Sequence, residues 1–443
     1  MRLKLLILAA LTLSPVLSGQ ERLDFRYHDS LTYADYNNAE WKSLAQSTAK
    51  AISLGHDYYY MRMRAGISYY ERARYLQAVK HFEKALEFSN NDQIALEYIY
   101  YCYLFSGKWW LANAISSGFG ETAIRKTGIG TTNKNRASLN YFSSIYNNSE
   151  LLDSYNTESE HPGPGSFYIP VKMMSLGLSL THGLEPGKGI IHGFSYTRRT
   201  NSLYYSDGTR FVPEYSQYVN QYKYYFSLVF AGKKGLVFSP AAFYINSSYP
   251  IIEFITSGMG TSAYALPAKE NNFGGGFSLT NNAGIFDFTA SAYISRIAYI
   301  NNFQAGLGLR IYPLANNYLY LGGGLSFISS GLPDGRSNIY VPEIEAGFSV
   351  RGRFYAAFNA MFGDIRNFVD YNGAVVYNGI NKIDRVLSIE LSVPAGKSGF
   401  YFFANASLGS EYTAFVPENY YYSTESQYSF NSISILGGLS WTF

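Results

Sequence analysis

Two hydrophobic periodicities divide the chain. Between residues 30 and 116, apolar side chains recur at helical spacing, for example Val79, Phe82 and Leu86. From residue 136 onward the period is two, as in residues 174–181, which read MSLGLSLT. A helical period predicts helices with one buried face, and a period of two predicts strands with two different faces. The pattern therefore predicts an α+β multidomain chain, with a short helical module followed by β-structure.

The β-part has the segment length and link pattern of a transmembrane barrel. Alternating segments of roughly ten residues continue to the C-terminus, separated by turn signals. The short links are residues 183–189, 231–235, 281–284, 313–317, 351–353 and 395–399; the longer ones are 201–214, 247–270, 330–338, 365–384 and 412–427. Outer-membrane barrels have short periplasmic turns and long outer loops. We therefore expect an antiparallel barrel of about fourteen strands, beginning at residues 136–146, with both ends in the periplasm.

One proline disturbs this regular pattern. Pro240 lies within the predicted strand 236–246. A closed barrel has no edge strand at which a missing backbone N–H goes unused, so we expect a β-bulge there. The alternative is that residues 236–246 are not one strand, which would change the strand number.

Residues 1–19 have the features of a secretory signal peptide. Arg2 and Lys4 precede an apolar run at residues 5–13, which is too short to span a bilayer, and small residues follow at Ser18 and Gly19. The one cysteine, Cys102, has no second cysteine to pair with and is expected to be buried. We expect an exported protein in the bacterial outer membrane, with the helical module in the periplasm.

Composition restricts the partners. Charged residues make up 15% of the 443 residues and aromatic residues 18%, which is too aromatic for a disordered chain. The 35 basic and 32 acidic residues give a net charge of +3, without the basic excess of a nucleic-acid-binding protein. We expect outer-membrane lipid as one partner and no nucleic acid.

The helical part resembles tetratricopeptide repeats in the positions of its small and large packing residues. Small and large residues stand at the repeat's offsets in a first unit: Gly66, Tyr69, Ala78, Phe82 and Ala85. A second unit follows one period later with Leu96, Ile99, Tyr103, Gly107, Trp109 and Ala112, and residues 41–54 look like half of another. We divide the chain into a signal peptide (1–19), a tetratricopeptide-like helical module (20–118), a linker (119–135) and a barrel (136–443).

The combination of signal peptide, helical repeats and a barrel ending in phenylalanine resembles the YaiO-like outer-membrane proteins and, more loosely, the exopolysaccharide export porins. The terminal Trp441 and Phe443 resemble the assembly signal of outer-membrane barrels. The resemblance implies that the helices bind a periplasmic protein through a groove lined by Tyr60, Met63, Ile67, Tyr70, Glu97 and Tyr101. The alternative is that these side chains only pack the helices together.

The polar positions that alternate with apolar ones along the strands are expected to face the lumen. Its charged members are Lys223, Asp287, Arg310, Glu343, Glu345, Arg351 and Glu390. These charges either create a transverse field in an open pore or pair with one another and close the lumen. The alternation alone does not show whether the lumen is open or closed.

Three functions remain open. The main hypothesis is a non-enzymatic outer-membrane anchor that displays a protein-binding module. The alternative is a pore for solute passage or exopolysaccharide export, with polysaccharide as a further candidate partner. The second alternative is an enzyme in the barrel wall, for which His182 and His192 are the best candidates, although the sequence contains no G-x-S-x-G, H-E-x-x-H or Walker string. We expect no metal and no cofactor.

Overall fold

The structure, a computed structural model, describes residues 25–128, 135–148, 164–207, 211–257, 260–332, 335–350, 353–379, 381–396, 399–414, 416–417 and 427–443. The predicted signal peptide lies outside these residues. The described residues form two compact units. The first comprises residues 25–108 with Gly118–Ala123, and the second comprises Trp109–Ser117 with the described residues between Ile124 and Phe443.

Helices make up the N-terminal part. Seven α-helices occur in the described residues: α1 (Phe25–Asn37), α2 (Trp41–Ser53), α3 (Tyr59–Glu71), α4 (Tyr75–Phe88), α5 (Gln93–Phe105), α6 (Trp109–Ile115) and α7 (Glu121–Thr127), with a 3₁₀ turn at Ser116–Gly118. Among these residues, no helix has the length and apolar character needed to cross a membrane.

The helices recur at a fixed period. The odd-numbered helices α1, α3 and α5 begin at Phe25, Tyr59 and Gln93, which are 34 residues apart. The even-numbered helices α2, α4 and α6 begin at Trp41, Tyr75 and Trp109, again 34 residues apart. This is the period of tetratricopeptide repeats. The predicted half unit at residues 41–54 is preceded by a helix, so each of the three odd-numbered helices up to α5 is followed by an even-numbered one in the described part of the chain.

The predicted packing positions lie where α3 and α4 meet. A β-carbon on Gly66 would stand 2.5 Å from Cε1 of Phe82, so only glycine lets the two helices approach this closely. Phe82 is buried and its ring stacks on Tyr98 with centroids 4.7 Å apart, and Ala78 and Ala85 are also buried. Cys102 is buried as well, which confirms that prediction.

The predicted linker is partly helical. Helix α7 occupies residues 121–127 within the expected linker 119–135. Glu121 stands in its first turn and Arg125 and Lys126 in its last, which places each charge against the favourable end of the helix dipole. Helix α6 belongs to the second unit, so the boundary at residue 118 differs from the structural division. Within that unit, Asn113 of α6 accepts a hydrogen bond from the Gly187 N–H (2.5 Å).

The second unit is a closed antiparallel barrel. Its strands in the described residues are β1 (Arg136–Asn147), β2 (Pro164–Glu185), β3 (Lys188–Asp207), β4 (Phe211–Ala231), β5 (Leu236–Ser257), β6 (Gly260–Ala283), β7 (Phe286–Ile297), β8 (Ile300–Ile311), β9 (Leu319–Leu332), β10 (Gly335–Val350), β11 (Phe354–Phe362), β12 (Lys382–Ala395), β13 (Phe400–Ala414), β14 (Val416–Pro417) and β15 (Gln427–Thr442). Strand β1 pairs with both β2 and β15, which closes the sheet. Apart from the two-residue β14, the strands number fourteen, as predicted.

The alternation predicted from the sequence separates two faces. Leu307 is 69% exposed and Ile389 is 62% exposed on the outside, whereas the polar Gln304 and Ser326 are 3% and 1% exposed on the inside. Ile433 and Ile435 on the last strand follow the same rule. An apolar exterior around a more polar interior is the pattern of a barrel whose outer wall contacts lipid.

The strands β2 to β6 are longer than predicted. Each has 20 to 24 residues, about twice the 9–11 that cross a bilayer. The expected long loops 201–214 and 247–270 are therefore mostly strand, since β5 and β6 remain paired as far as Ser257 and Gly260. The polar residues of these segments do not prevent strand formation, because a paired ladder satisfies their backbone groups.

The prediction of a β-bulge at Pro240 is wrong. Ser227 pairs with Ala241 and Phe230 with Phe238 in the same register, so the ladder between β4 and β5 is interrupted at Pro240 without gaining a residue. On its other side Pro240 pairs regularly with Phe277. The Ser227 hydroxyl donates to the Pro240 carbonyl (3.0 Å) and provides a bond across the interruption.

The C-terminus completes the closure. Phe443 exchanges two backbone hydrogen bonds with Asn135, at 2.8 and 2.9 Å. The Trp441 ring stacks on Phe400 with centroids 5.4 Å apart and contacts Phe443. The predicted assembly signal thus lies at the seam between the first and last strands.

Candidate functional site

The segment between β11 and β12 folds into the barrel. Residues 365–384 were expected to form an outer loop, but residues 363–379, here called the inner hairpin, lie against the inner face of the wall. The Asn367 N–H donates to the Tyr377 carbonyl (2.7 Å), and the Tyr377 N–H donates to Phe368 (2.9 Å). Val369 and Val376 form an isolated bridge. The inner hairpin therefore lies inside the barrel, and the prediction of an outer loop is wrong.

Apolar side chains hold the inner hairpin in place. Val369 is fully buried in a cluster on the barrel's inner face, together with Tyr225, Ala241, Phe243, Ile245, Tyr293 and Ile297. Ile365 and Phe368 are buried in a second cluster with Ile328, Val341 and Met361. Burying a side chain of this size contributes about 1.5–3 kcal/mol. The alternative, a loop in water, would expose these three side chains.

Polar residues of the wall bind the hairpin backbone. The Gln304 amide both donates to the Val369 carbonyl (2.6 Å) and accepts from its N–H (3.0 Å). Lys223 Nζ donates to the Ala374 carbonyl (2.6 Å), and the Tyr225 hydroxyl donates to Asn372 (2.7 Å). Hydrogen bonds from wall to backbone satisfy groups that a buried segment would otherwise leave unpaired.

Glycines on the inner face of β8 and β9 make room for the hairpin. A β-carbon on Gly306 would stand 2.9 Å from Cε1 of Tyr371, and one on Gly324 would overlap the Tyr371 hydroxyl. That hydroxyl donates to the Leu307 carbonyl (3.0 Å). The wall is therefore shaped for this segment.

A cavity of about 590 Å³ remains beside the hairpin. Its walls are the inner faces of β1 to β4, β12, β13 and β15, and the hairpin's second arm forms one side. Many of the wall residues are small or polar: Asn140, Ser144, Ser175, Gly177, Ser179, Gly193, Ser195, Thr197, Ser432 and Ser434. The hairpin thus fills part of the lumen and leaves a polar space along the opposite wall.

Most of the predicted lumen charges lie on the inner face and have partners. Arg310 forms a bidentate ion pair with Glu345 (2.8 and 2.7 Å), and Asn359 donates to Glu343. Asp287 accepts from the Tyr312 hydroxyl (2.9 Å). Glu390 lies on the inner face between the exposed Ile389 and Leu391. Arg351 falls outside the described residues.

Arg199 of β3 was missed by the sequence reasoning. It lines the cavity, at the same level as Tyr146 and Glu411. Its position in the polar phase of β3, four residues from Ser195, was the available signal. No other charged residue of β3 lines the cavity within the described residues.

The predicted partner groove on the helices is only partly accessible. Met63 and Ile67 are 6% and 9% exposed, so they pack in the core of the helical unit. Tyr70 packs edge-on against Tyr75 and Tyr98, and Tyr101 stacks on Phe105. The structure leaves Glu97 partly buried and Tyr60 64% exposed.

The candidate enzymatic pair lies on the outer face. His182 and His192 are neighbours with ring centroids 5.7 Å apart, and His192 Nδ1 is 2.8 Å from the Tyr224 hydroxyl. The Phe226 ring also packs on His192. Aromatic and amphipathic rings on the outside of a barrel are typical of the membrane interface. Within the described part of the chain, no group of three or more His, Cys, Asp or Glu side chains could hold a metal ion.

Solved structures similar to the chain include bacterial transport proteins. The toluene transporter TodX of Pseudomonas putida is 10% identical, with a TM-score of 0.46, over 74% of this chain and 91% of its own. The toluene transporter TbuX of Ralstonia pickettii is 10% identical, with a TM-score of 0.44, over 74% and 96%. A FadL homologue of Pseudomonas aeruginosa is 9% identical, with a TM-score of 0.39, over 74% and 94%. These likenesses concern the type of fold and assign no substrate to this chain.

No family model matches the chain, and no curated protein matches it. The similarity to the YaiO-like proteins and the assignment of the helices to the tetratricopeptide family therefore stay predictions.

Proposed function

We propose that this protein is a non-enzymatic outer-membrane pore whose passage is restricted by the inner hairpin. The observation that carries the proposal is the hairpin docked on the inner wall beside a polar cavity of about 590 Å³. A barrel that served only as an anchor would need neither a shaped inner wall nor a remaining polar space. The exposed apolar face of the strands supports a position in the outer membrane.

The hairpin acts as a partial plug in this proposal. It occupies the side of the lumen formed by β4 to β11, where Val369, Ile365 and Phe368 are buried. Solutes pass along the opposite side, where serines, threonine and asparagine replace the hydration that a polar solute loses. Displacement of the hairpin widens this route.

Conductance measurements test the proposal. The wild-type protein and a variant with residues 367–378 replaced by a short Gly-Ser link are inserted into planar bilayers. We expect a small conductance from the wild type and a several-fold larger one from the variant, because the shortened loop no longer fills the lumen. A gel shift between unheated and heated samples checks that both barrels are folded. Folded protein that conducts in neither form would contradict the proposal.

A second candidate function rests on the helices. Their 34-residue period and the exposed Tyr60, Phe88 and Ile94 favour a protein-binding module, which we place in the periplasm. Full-length protein in detergent, with a Tyr60→Ala variant as comparison, is used to capture periplasmic proteins. A saturable partner bound by the wild type and lost in the variant supports this function. Equal binding by both, or no binding, counts against it.

A further inference from the structure

Arg199 lines the cavity without a hydrogen-bond or ion-pair partner among the described residues. It forms no ion pair within 4.0 Å and no hydrogen bond there, and its Nε is a buried donor without an acceptor. An arginine side chain stays protonated in proteins, so the charge cannot be removed by titration. A buried N–H donor without an acceptor is unfavourable, and Glu411, which acts on the Arg199 charge from beyond ion-pair distance, supplies no acceptor for it. The position is stabilised when an anion occupies the neighbouring space.

The acidic residue at the same height as Arg199 already accepts hydrogen bonds from other residues. Glu411 of β13 is 8% exposed and accepts hydrogen bonds from Ser432 and Asn381. The other cation of the cavity, Lys223, donates to the hairpin carbonyl of Ala374. Arg310, in contrast, is bound by Glu345. Arg199 is therefore the cavity cation whose N–H donors are available to a solute.

The height of Arg199 along the barrel axis suits a residue that binds an entering solute. It lies eleven residues beyond Lys188, where β3 leaves its short turn, and Glu411 lies eleven residues beyond Phe400 in β13. For strands tilted by about 40°, this corresponds to about 28 Å along the barrel axis. Arg199 thus lies near the end of the cavity that faces away from the short turns, where a solute entering from that side would meet it first.

The rest of the cavity indicates a hydroxylated solute. Hydroxyl groups of Ser175, Ser195 and Thr197 line the wall below Arg199; Thr197 donates to Ser175 (2.9 Å), which leaves the Ser175 and Ser195 protons and acceptor positions on all three oxygens for a solute. Phe142 and Met173 add apolar surface for a carbon skeleton. The volume is within the range of sites that enclose small molecules. A long aliphatic chain would leave the hydroxyl-rich wall without water or partners.

From these contacts we infer that the pore selects small, hydroxyl-bearing organic anions, of the sugar-acid or sugar-phosphate class, through Arg199. The guanidinium binds the carboxylate or phosphate with paired N–H donors, and the serine-lined wall binds the hydroxyls. The inference rests on the proposed pore function and adds its substrate class. Carboxylate and phosphate share the chemistry that Arg199 recognises, so the test includes both.

The test compares uptake into proteoliposomes by three proteins. They are the wild type, Arg199→Gln and the matched control Arg198→Gln, whose arginine is the next residue on the same strand and lies over the Tyr218 ring. The probes are glucuronate, glucose 6-phosphate and neutral glucose. A charge-assisted hydrogen bond contributes about 1.5–3 kcal/mol, so we expect Arg199→Gln to lower uptake of the preferred anion about tenfold or more at low concentration. Glucose uptake should stay within about twofold, since it lacks the charge.

The outcomes separate the two proposals. Faster uptake of glucuronate or of glucose 6-phosphate than of glucose, lost in Arg199→Gln and kept in Arg198→Gln, supports the inference and identifies the anionic group. Uptake that ignores charge, or equal effects of the two substitutions, overturns the inference while leaving the pore intact. If no probe passes even after the hairpin is shortened, the pore function itself fails. A gel shift on heating confirms that each variant is folded.

Discussion

Single glycines on the inner wall determine where the hairpin can lie. At Gly306 an added β-carbon would stand within 3 Å of Ser291, Ser326 and Tyr371, so the side chains of three segments meet at this one position. The period of two predicts strands in this part of the chain, but it does not show what an inward-facing glycine contacts. The role of these glycines depends on a hairpin that is about sixty residues away in the chain, and a local pattern does not report such a contact.

Gly306→Val should loosen the hairpin. Overpacking costs about 1–3 kcal/mol, which would raise the fraction of undocked hairpin about five- to a hundredfold. We expect more frequent high-conductance events in planar bilayers. Gly437→Val is the matched control, because a β-carbon on Gly437 meets nothing within 4 Å on the outer face of β15. Equal channel records for the two variants would show that Tyr371 does not hold the hairpin through this contact.

His81 predicts a pH dependence of the helical unit. Its pKa is lowered to about 4 by burial and by the positive charge of Arg62. Because the unfolded chain binds this proton at a pKa near 6.5, the folded helices lose stability as the pH falls from 6.5 towards 4, and gain nothing further above 6.5. The loss at pH 5 is about 1–2 kcal/mol, allowing for solvent screening.

Circular dichroism of the detergent-solubilised chain measures this loss. The thermal transition of the helices is compared at pH 7.5 and pH 5.0 for the wild type and for His81→Gln, which lacks the titrating ring. The difference between the two pH values should shrink in His81→Gln and persist in His182→Gln, whose histidine lies in the barrel. An unchanged difference in His81→Gln would assign the pH dependence to other groups.

At the scale of elements, periodicity located helices and strands better than it located their ends. The helix pair α3 and α4 and the strand β1 lie where the sequence placed them, because their apolar positions follow one period throughout. The extra length of β5 and β6 was missed, since residues 247–257 and 260–270 do not keep a strict alternation of apolar and polar residues. Helix α7 was missed because seven residues give too short a period to recognise.

Gly66→Leu should destabilise the helical unit selectively. The new side chain would overlap the Phe82 ring, and such overpacking costs about 1–3 kcal/mol. The thermal transition of the helices should fall while the heat-induced gel shift of the barrel is retained. Gly120→Ala serves as the control, because its β-carbon would meet only the flexible Gln93 side chain at 3.4 Å. Similar losses in both variants would contradict the close packing of α3 and α4.

At the scale of the whole molecule, the number of strands predicted a closed barrel, but it did not predict what fills the lumen. An even number of strands with both ends on one side could be derived from link lengths alone, and the pairing of Arg136 with both Thr442 and Thr181 agrees with it. The inner hairpin could not be derived in that way. A long link inside a barrel and one outside it have the same length, and burial of Ile365, Phe368 and Val369 is the physical reason for the inward position.

The most direct test of the account is a measurement of which side chains face lipid. Nitroxide labels are attached at Ile433→Cys, Ser434→Cys and Ile435→Cys in a Cys102→Ser background, and the protein is reconstituted into bilayers. Ile433 and Ile435 are 55% and 60% exposed on the outer face, and Ser434 lines the cavity. Collisions with oxygen should dominate at positions 433 and 435, and collisions with a water-soluble nickel chelate at position 434. Three labels with the same accessibility would contradict a closed barrel with lipid outside and water within.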